Sequence, residues 1–403
     1  MSSSATQDGK LGFDPFDPAH RADPYPLYSR LRDEAPIHFS SRGYWVFSRH
    51  RDCLAVLRDH RFGHGTGQIL EKNTFRRPVQ GRSKPFILLD PPEHTRLRSL
   101  VSKAFTRRMV ERLAPRIEEI VADMIGTAVE QGEVDLMEAL AYPLPVTVIS
   151  ELLGVPKADL DAVKELSSVV ARGVDPDHHH TPEEMRRRGE AFAAFDAYFR
   201  VLLGERRAHP TGDLLSELAA AGDSDSALTD GELLTTCILL YVAGHETTMS
   251  LLGNGVLALI RHPEQFAALR ARPELAETAV EEFLRYDPPT QLSRRTTLEE
   301  VEWDGHSIKR GDQVVVLRAA ANRDPEVFAG PDRLDLARQD NRHLAFEGGI
   351  HFCLGASLAR LEGRIAFRAL AGRARVLELA TGRLRYRDNL VIRSLVDLPV
   401  RLR

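Results

Sequence analysis

Cysteine is scarce in this sequence: its 403 residues include three, at Cys53, Cys237 and Cys353. The three lie far apart and are odd in number, so they argue against a disulfide framework. Free thiols are typical of a reducing compartment, and we therefore expect a cytoplasmic protein.

Long apolar runs are absent as well. Nowhere do about 18 apolar residues follow one another, which is the length that a membrane-spanning helix needs. The N-terminal residues lack the apolar core of a signal peptide. We expect no transmembrane helix and no membrane partner.

Neither sign of charge is in large excess, since the chain has 54 basic and 58 acidic residues and a formal net charge of -4. This balance argues against a general nucleic-acid binder. A hydrophobic content of 43% is enough for a large core, and no internal repeat or linker is visible. We expect one monomeric domain over residues 1–403, with residues 1–20 flexible.

The most informative stretch runs from Ala345 to Ala356 and reads AFEGGIHFCLGA. Glycines before Cys353 allow the backbone to approach a flat group, because no Cβ stands in the way. A predicted helix follows, and a thiolate near a helix start is favoured by the helix dipole and by unpaired N–H groups. Such a sulfur suits a metal or an electrophile. The alternative for the cysteine alone is a small, buried, apolar residue.

A second informative stretch is a helix predicted from Thr229 to His262, which begins with a capping box at Thr229 and Glu232. Apolar residues lie on nearly every side of it, as in a buried central helix. Its middle reads AGHETT from Ala243, and a buried Glu246 in such a helix is a candidate proton relay. A kinked helix that only packs is the alternative.

Two charged pairs are weaker signals. His94 and Arg98 are four residues apart on a predicted helix, where spacing alone favours a solvated basic face. Glu282 and Arg285 have the spacing of an ordinary surface pair.

Taken together, these patterns resemble the cytochrome P-450 family. Phe346, Gly349, His351, Cys353 and Gly355 match its haem-binding loop, and the AGHETT stretch matches its oxygen-activation motif. Glu347 departs from the pattern, because members usually have glycine directly after the phenylalanine. The resemblance implies haem b as the cofactor, with Cys353 as its axial thiolate ligand.

The resemblance also implies the remaining site residues. Haem contacts are implied at His94, Arg98, Ala243, Gly244, Arg295, Phe346, Gly349, His351, Cys353 and Gly355, with Arg294 an alternative to Arg295. Glu246 and Thr247 are the implied catalytic residues, and Glu282, Arg285 and Arg333 an implied structural triad. Substrate-facing candidates are Leu240, Ala243, Thr290, Gln291, Leu292, Ser394 and Leu395, together with the loop 62–89 and a lid at about 170–188.

The implied fold is a mainly helical triangular prism with a small β region, in which haem lies between the Thr229–His262 helix and the helix after Cys353. The implied activity is insertion of one oxygen atom of O2 into a medium-to-large lipophilic molecule such as a polyketide, terpenoid, steroid or fatty acid. No dinucleotide fingerprint is present, so NAD(P)H is expected to act only through a ferredoxin and its reductase. Arg107, Arg108 and Arg112 are candidate docking residues. Peroxide-driven oxidation, oxidative coupling and a non-catalytic haem sensor are the alternatives.

Overall fold

The computed structural model describes residues 17–65, 83–220 and 228–403. Its contacts divide the chain into two compact units. The first unit contains the residues up to Gly63, then Arg116–Ala141 and Thr247–Arg403, and the second contains His64–Pro115 and Tyr142–Glu246.

Helices account for most of the described chain. In chain order they are α1 Tyr25–Glu34, α2 His50–Arg58, α3 Glu93–Ala104, α4 Arg107–Arg112, α5 Ala114–Gln131, α6 Pro143–Leu153, α7 Leu160–Ala171, α8 Pro182–Ala208, α9 Leu214–Ala220, α10 Asp230–Arg261, α11 Pro263–Ala271, α12 Ala276–Tyr286, α13 Arg318–Ala321 and α14 Ala356–Arg373.

The strands that the structure describes are short and belong to the first unit. They are β1 Ile37–Phe39, β2 Tyr44–Phe47, β3 Phe62–Gly63, β4 Glu133–Asp135, β5 Ser293–Thr297, β6 Val301–Trp303, β7 His306–Ile308, β8 Gln313–Val316, β9 Leu377–Leu379, β10 Arg385–Tyr386, β11 Leu395–Asp397 and β12 Pro399–Leu402.

A five-stranded sheet with the order β1-β2-β8-β5-β3 is the largest β structure of the first unit. β1 and β2 form an antiparallel hairpin, and β2 pairs with β8 in parallel, with Tyr44 opposite Gln313. Every residue of the central strand β8 is buried. Its antiparallel neighbour β5 places Arg295 opposite Val314 and so fixes the backbone that carries this arginine.

Helix α10 has 32 residues and is about 48 Å long at 1.5 Å per residue. Its predicted capping box is present: the Thr229 N–H donates to Glu232 Oε2 at 2.9 Å, and the Glu232 N–H donates to Thr229 Oγ1 at 3.3 Å. In the first unit, its C-terminal half packs closely on α14. A Cβ added at Gly255 would lie 2.5 Å from Phe367 of α14, so only glycine allows this approach.

The structure of the second unit corrects the bounds of the predicted lid. The polar stretch predicted to interrupt the helices at about 170–188 is shorter, because α8 already begins at Pro182. Thr181 caps it: the Thr181 N–H donates to Glu184 Oε2 at 2.8 Å, and the Glu184 N–H donates to Thr181 Oγ1 at 3.2 Å. Within the predicted loop 62–89, residues 66–82 lie outside the described part of the chain.

Among the residues that the structure describes, no helix is both long and apolar enough to cross a membrane.

Candidate active site

Cys353 is the exposed cysteine of the three. Burial raises the pKa of the Cys53 thiol well above its usual value and that of Cys237 to about 12, so both act as core residues. Cys353 lies three residues before the first residue of α14, and Leu354 and Gly355 connect the two. The Cys353 N–H donates to the Phe346 carbonyl at 2.9 Å. The loop therefore presents one accessible sulfur at a helix start, as the sequence predicts.

Gly349 and Gly355 of this loop differ in their surroundings. Gly349 has φ +64, and a Cβ there would lie 2.4 Å from the Leu57 carbonyl oxygen of α2, so packing and backbone conformation both require glycine. At Gly355 an added Cβ would meet no described protein atom within 4 Å. This residue thus leaves the loop accessible directly beside the sulfur.

Arg295 lies against Glu347. Its Nη2 donates to Glu347 Oε2 at 2.9 Å, and its Nη1 donates to the Arg294 carbonyl at 2.9 Å. Arg295 is buried whereas Arg294 is partly exposed, because consecutive strand residues point to opposite faces of β5. The contact with Glu347 was not predicted from the sequence.

The middle of helix α10 is partly accessible on more than one face, since Leu239, Val242 and Gly244 are partly exposed. Ala243 is exposed and Leu240 and Thr247 are partly exposed, at the three- and four-residue spacing of one helix face. Gly244 has a packing reason in the second unit: a Cβ there would lie 3.0 Å from Ile149 of α6.

His245, which was not among the site residues predicted from the sequence, is fully buried beside Glu246. Its Nδ1 lies 2.7 Å from the Tyr241 carbonyl, and a carbonyl only accepts, so Nδ1 carries the hydrogen of that bond. Its Nε2 lies 3.3 Å from Ser167 Oγ of α7 and 3.4 Å from Glu246 Oε1. The imidazole therefore lies between the Glu246 carboxylate and α7, and its hydrogen-bond partners are the Tyr241 carbonyl and Ser167. The sequence feature that could have indicated this role is the presence of a histidine directly before Glu246 in the AGHETT stretch.

His94 and Arg98 lie one turn apart on α3 in the second unit. His94 is buried, with its ring centroid 6.4 Å from that of Phe86, and Arg98 is partly exposed. Burial of the histidine disfavours the alternative of a solvated basic face.

Glu282 and Arg285 form a fully buried pair with two contacts of 2.8 Å. The prediction that the Arg333 side chain completes a triad is corrected: that side chain is 73% exposed and pairs with Asp335 at 3.0 Å. The Arg338 Nε donates to Glu282 Oε2 at 3.1 Å instead. Arg333 contributes only its carbonyl, which accepts from Arg285 at 3.0 Å.

The substrate-facing candidates of the first unit lie on two paired segments. Thr290 bridges to Ile392, and the Gln291 N–H donates to the Val391 carbonyl at 2.9 Å. Gln291, Leu292, Ser394 and Leu395 are all buried in protein, and Thr290 is partly exposed. Thr290 is thus the accessible member of this group.

The residues present suit an iron porphyrin. In the first unit, an accessible thiol on a glycine-bearing loop is the soft, anionic ligand that iron takes in haem-thiolate proteins, and a buried arginine lies on the adjoining strand. In the second unit, His94 and Arg98 supply cationic or hydrogen-bonding groups for carboxylates.

Comparison with known proteins gives consistent results. Residues 37–376 match the Cytochrome P450 family. The chain is 43% identical over 396 residues to the Cytochrome P450 monooxygenase PikC of Streptomyces venezuelae, which covers 95% of this chain and 92% of that protein. It is 38% identical over 408 residues to the Polyketide biosynthesis cytochrome P450 PksS of Bacillus subtilis (strain 168), with coverage of 98% and 99%.

Solved structures agree with these relatives. The structure of PksS superimposes with a TM-score of 0.88 and covers 97% of this chain and 99% of that chain. The structure of P450BioI in complex with a hexadec-9Z-enoic acid-ligated acyl carrier protein gives a TM-score of 0.87 at 36% identity, with coverage of 96% and 99%.

The chain belongs to the cytochrome P450 family. The predicted fold class, mainly helical with small β sheets, is confirmed, and so are the haem cofactor and the monooxygenase class. Enzymes of this family receive their electrons from redox partners.

Proposed function

We propose that this monooxygenase oxidises a medium-to-large lipophilic molecule of the polyketide class. The observation that carries the proposal is one accessible face of α10, on which small Ala243 lies one turn and apolar Leu240 two turns before Thr247. A surface of that composition favours an apolar ligand. PksS, whose name assigns it to polyketide biosynthesis, is similar to this chain over nearly its full length.

The chain's own residues hold the haem in this proposal. Cys353 would supply the thiolate ligand of the iron, and His94, Arg98, Arg295 and His351 would hold the propionates. When bound, haem supplies the oxygen-activating chemistry, while the protein supplies the ligand, the protons and the shape of the pocket. The buried Glu282–Arg285–Arg338 group stabilises the fold that carries the Cys353 loop.

Proton supply is assigned to the AGHETT stretch. The Glu246 carboxyl group would carry a proton in from solvent, and the Thr247 hydroxyl would pass it on. His245 is a positioning residue for Glu246, since it contacts that carboxylate at 3.4 Å while Tyr241 and Ser167 hold the ring.

A ferredoxin and its reductase are the proposed electron donors. The exposed arginines of α4, Arg107, Arg108 and Arg112, suit an acidic partner. Arg107 is already paired with Glu111 at 2.7 Å, so Arg108 and Arg112 carry most of the proposed attraction.

The first step of the test identifies a ligand. A panel of polyketides, terpenoids, steroids and fatty acids is titrated against the oxidised protein, and the spin-state change of the haem spectrum is followed. The proposal requires the largest changes at the lowest concentrations for polyketides. Tighter binding by any other group in the panel would replace that substrate class.

The second step compares Thr247→Ala with Thr247→Ser, using the best ligand and a surrogate ferredoxin system. Alanine removes the hydroxyl, so we expect product per NADPH consumed to fall roughly tenfold or more, with ligand affinity nearly unchanged. Serine retains the hydroxyl and should keep most of the coupling. Equal coupling in all three proteins would remove Thr247 from the mechanism.

A further inference from the structure

Glu347 has an unusual backbone conformation. Its φ is +65, in the left-handed region that side-chain-bearing residues rarely adopt. It directly follows Phe346, whose carbonyl accepts the hydrogen bond from the Cys353 N–H at 2.9 Å. A glutamate kept in such a position, next to the cysteine loop, calls for a compensating interaction.

The compensation comes from strand β5. The Ser293 hydroxyl donates to Glu347 Oε1, and Arg295 donates to Oε2 at 2.9 Å. Ser293 and Arg295 are two residues apart on the strand, so both side chains point to the same face and grip one carboxylate.

A second guanidinium, that of Arg318, acts electrostatically on the Glu347 carboxylate. Arg318 of α13 is buried, and its Nη1 donates to the Ala345 carbonyl at 2.9 Å. Its charge and that of Arg295 both act on Glu347. Burial alone would raise the pKa of Glu347, but the two arginines and the hydrogen bond from Ser293 outweigh it and lower that pKa to about 2. The carboxylate is therefore ionised throughout the physiological range.

The charges can be counted. Arg295 and Arg318 place two positive charges in a region where their exposure is 3% and 4%, and Glu347 neutralises one of them. Buried charges are tolerated only when they are paired. One net positive charge remains for an incoming anion, where a glycine at position 347 would leave two.

We propose that Glu347 is a built-in counter-anion for Arg295 and Arg318, which lowers the reduction potential of the bound haem by adding a negative charge beside the Cys353 loop. The inference rests on the proposed contact of Arg295 with a haem propionate and is independent of the substrate. Net charge near a redox centre shifts its potential, and a nearby anion favours the oxidised form.

Glu347→Gln in the haem-loaded protein is the direct test, because it removes the charge and keeps the shape. We expect its one-electron reduction equilibrium to shift about tenfold toward the reduced state, which is about 59 mV. Glu347→Gly, which also removes the left-handed strain, should shift it in the same direction. Ser293→Ala removes a hydrogen bond but no charge, and Glu326→Gln removes an exposed charge elsewhere, so both should stay near the original potential.

Haem transfer to apomyoglobin gives a second readout. A propionate next to Arg295 is repelled by Glu347, so haem should leave Glu347→Gln and Glu347→Gly several-fold more slowly than the original protein. An unchanged potential in both variants, or a shift in Ser293→Ala as large as in Glu347→Gln, would overturn the charge assignment. Faster haem loss from both Glu347 variants would also do so. These readouts need no substrate, so they stand whether or not the polyketide assignment does.

Discussion

Single residues of this protein carry ionisation states that differ strongly from those in water. Glu362 of α14 is 1% exposed, and its Oε2 has no hydrogen-bond partner among the described residues. Burial raises the pKa of its carboxyl well above the usual value, so it is neutral in the folded protein. Glu347 shows the opposite shift, because two arginines surround it.

The neutral state of Glu362 predicts a pH-dependent stability. In the unfolded chain the carboxyl ionises near pH 4.3, whereas in the folded chain it keeps its proton, so folded stability falls as pH rises above about 4.3. Glu362→Gln removes this loss. The variant should match the original near pH 4 and gain up to about 1.4 kcal/mol per pH unit above it, until the folded pKa is reached.

Urea unfolding between pH 4 and pH 8 measures the effect. Glu264→Gln, at an exposed position of α11, is the matched control and should show no growing difference with pH. Parallel stability curves for Glu362→Gln and the original protein would mean that Glu362 is not held neutral.

The Cys353 loop and the Glu282–Arg285 pair were predicted through short motifs that resemble those of the family, since spacing alone indicated an ordinary surface pair for Glu282 and Arg285. Cys353 and Gly349 lie within one loop, and Glu282 and Arg285 lie within one helical turn, so local geometry determines their neighbours. Arg333 and Arg338 lie in an irregular segment, where spacing does not tell which side chain turns inward. The contact between Arg295 and Glu347 joins a strand to a loop 52 residues away, which no local pattern encodes.

At the scale of secondary-structure elements, the buried Glu282 carboxylate of α12 forms hydrogen bonds with the irregular segment that precedes the Cys353 loop. Glu282 accepts from Arg285, from the Asp335 N–H at 2.8 Å, from Arg338 at 3.1 Å and from Asn341 at 3.1 Å. The backbone from Asp335 to Asn341 is thereby fixed to one helix. Because hydrogen bonds depend on direction as well as distance, these contacts also fix the position from which the chain enters the Cys353 loop.

Replacement of Arg338 by alanine should therefore be costly. The change leaves the buried Glu282 with one cation fewer, so we expect a loss of about 3 kcal/mol in the free energy of unfolding. Arg333→Ala removes an exposed side chain and should cost less than about 1 kcal/mol. Urea unfolding of the two variants compares them directly. If Arg333→Ala were the more damaging of the two, the assignment of the triad would have to be reversed.

Helix starts illustrate what sequence patterns miss at this scale. The start of α10 was predicted from its capping box, whereas that of α8 was missed, although Thr181 and Glu184 form the same box. The residues around Thr181 are mostly polar, and hydrophobic periodicity gives no signal there. The capping chemistry decided the boundary, and the apolar pattern did not.

At the scale of the whole molecule, a formal net charge of -4 coexists with a basic helix α4. Arg108 and Arg112 are exposed, and an acidic redox protein would be attracted to them despite the overall negative charge. The monomeric state and the single domain stay predictions.

The docking proposal predicts a salt-dependent effect. Arg108→Glu combined with Arg112→Glu should slow reduction by an acidic ferredoxin about tenfold at low ionic strength. The difference should vanish near 1 M salt, where the screening length is about 3 Å. The matched control reverses two other exposed arginines, Arg310 and Arg383. Equal rates for the α4 variant and the control would place the electron-transfer surface elsewhere.

The contrast among the three thiols has a practical consequence. Cys53 and Cys237 are buried, whereas Cys353 is exposed, so an alkylating reagent added to the native protein reaches one position. In the proposed holoenzyme that same sulfur is bound to iron and is protected from the reagent. Mass-spectrometric counting of alkylated chains in a preparation would then give the fraction that has never taken up its cofactor, without any spectrum of the haem itself.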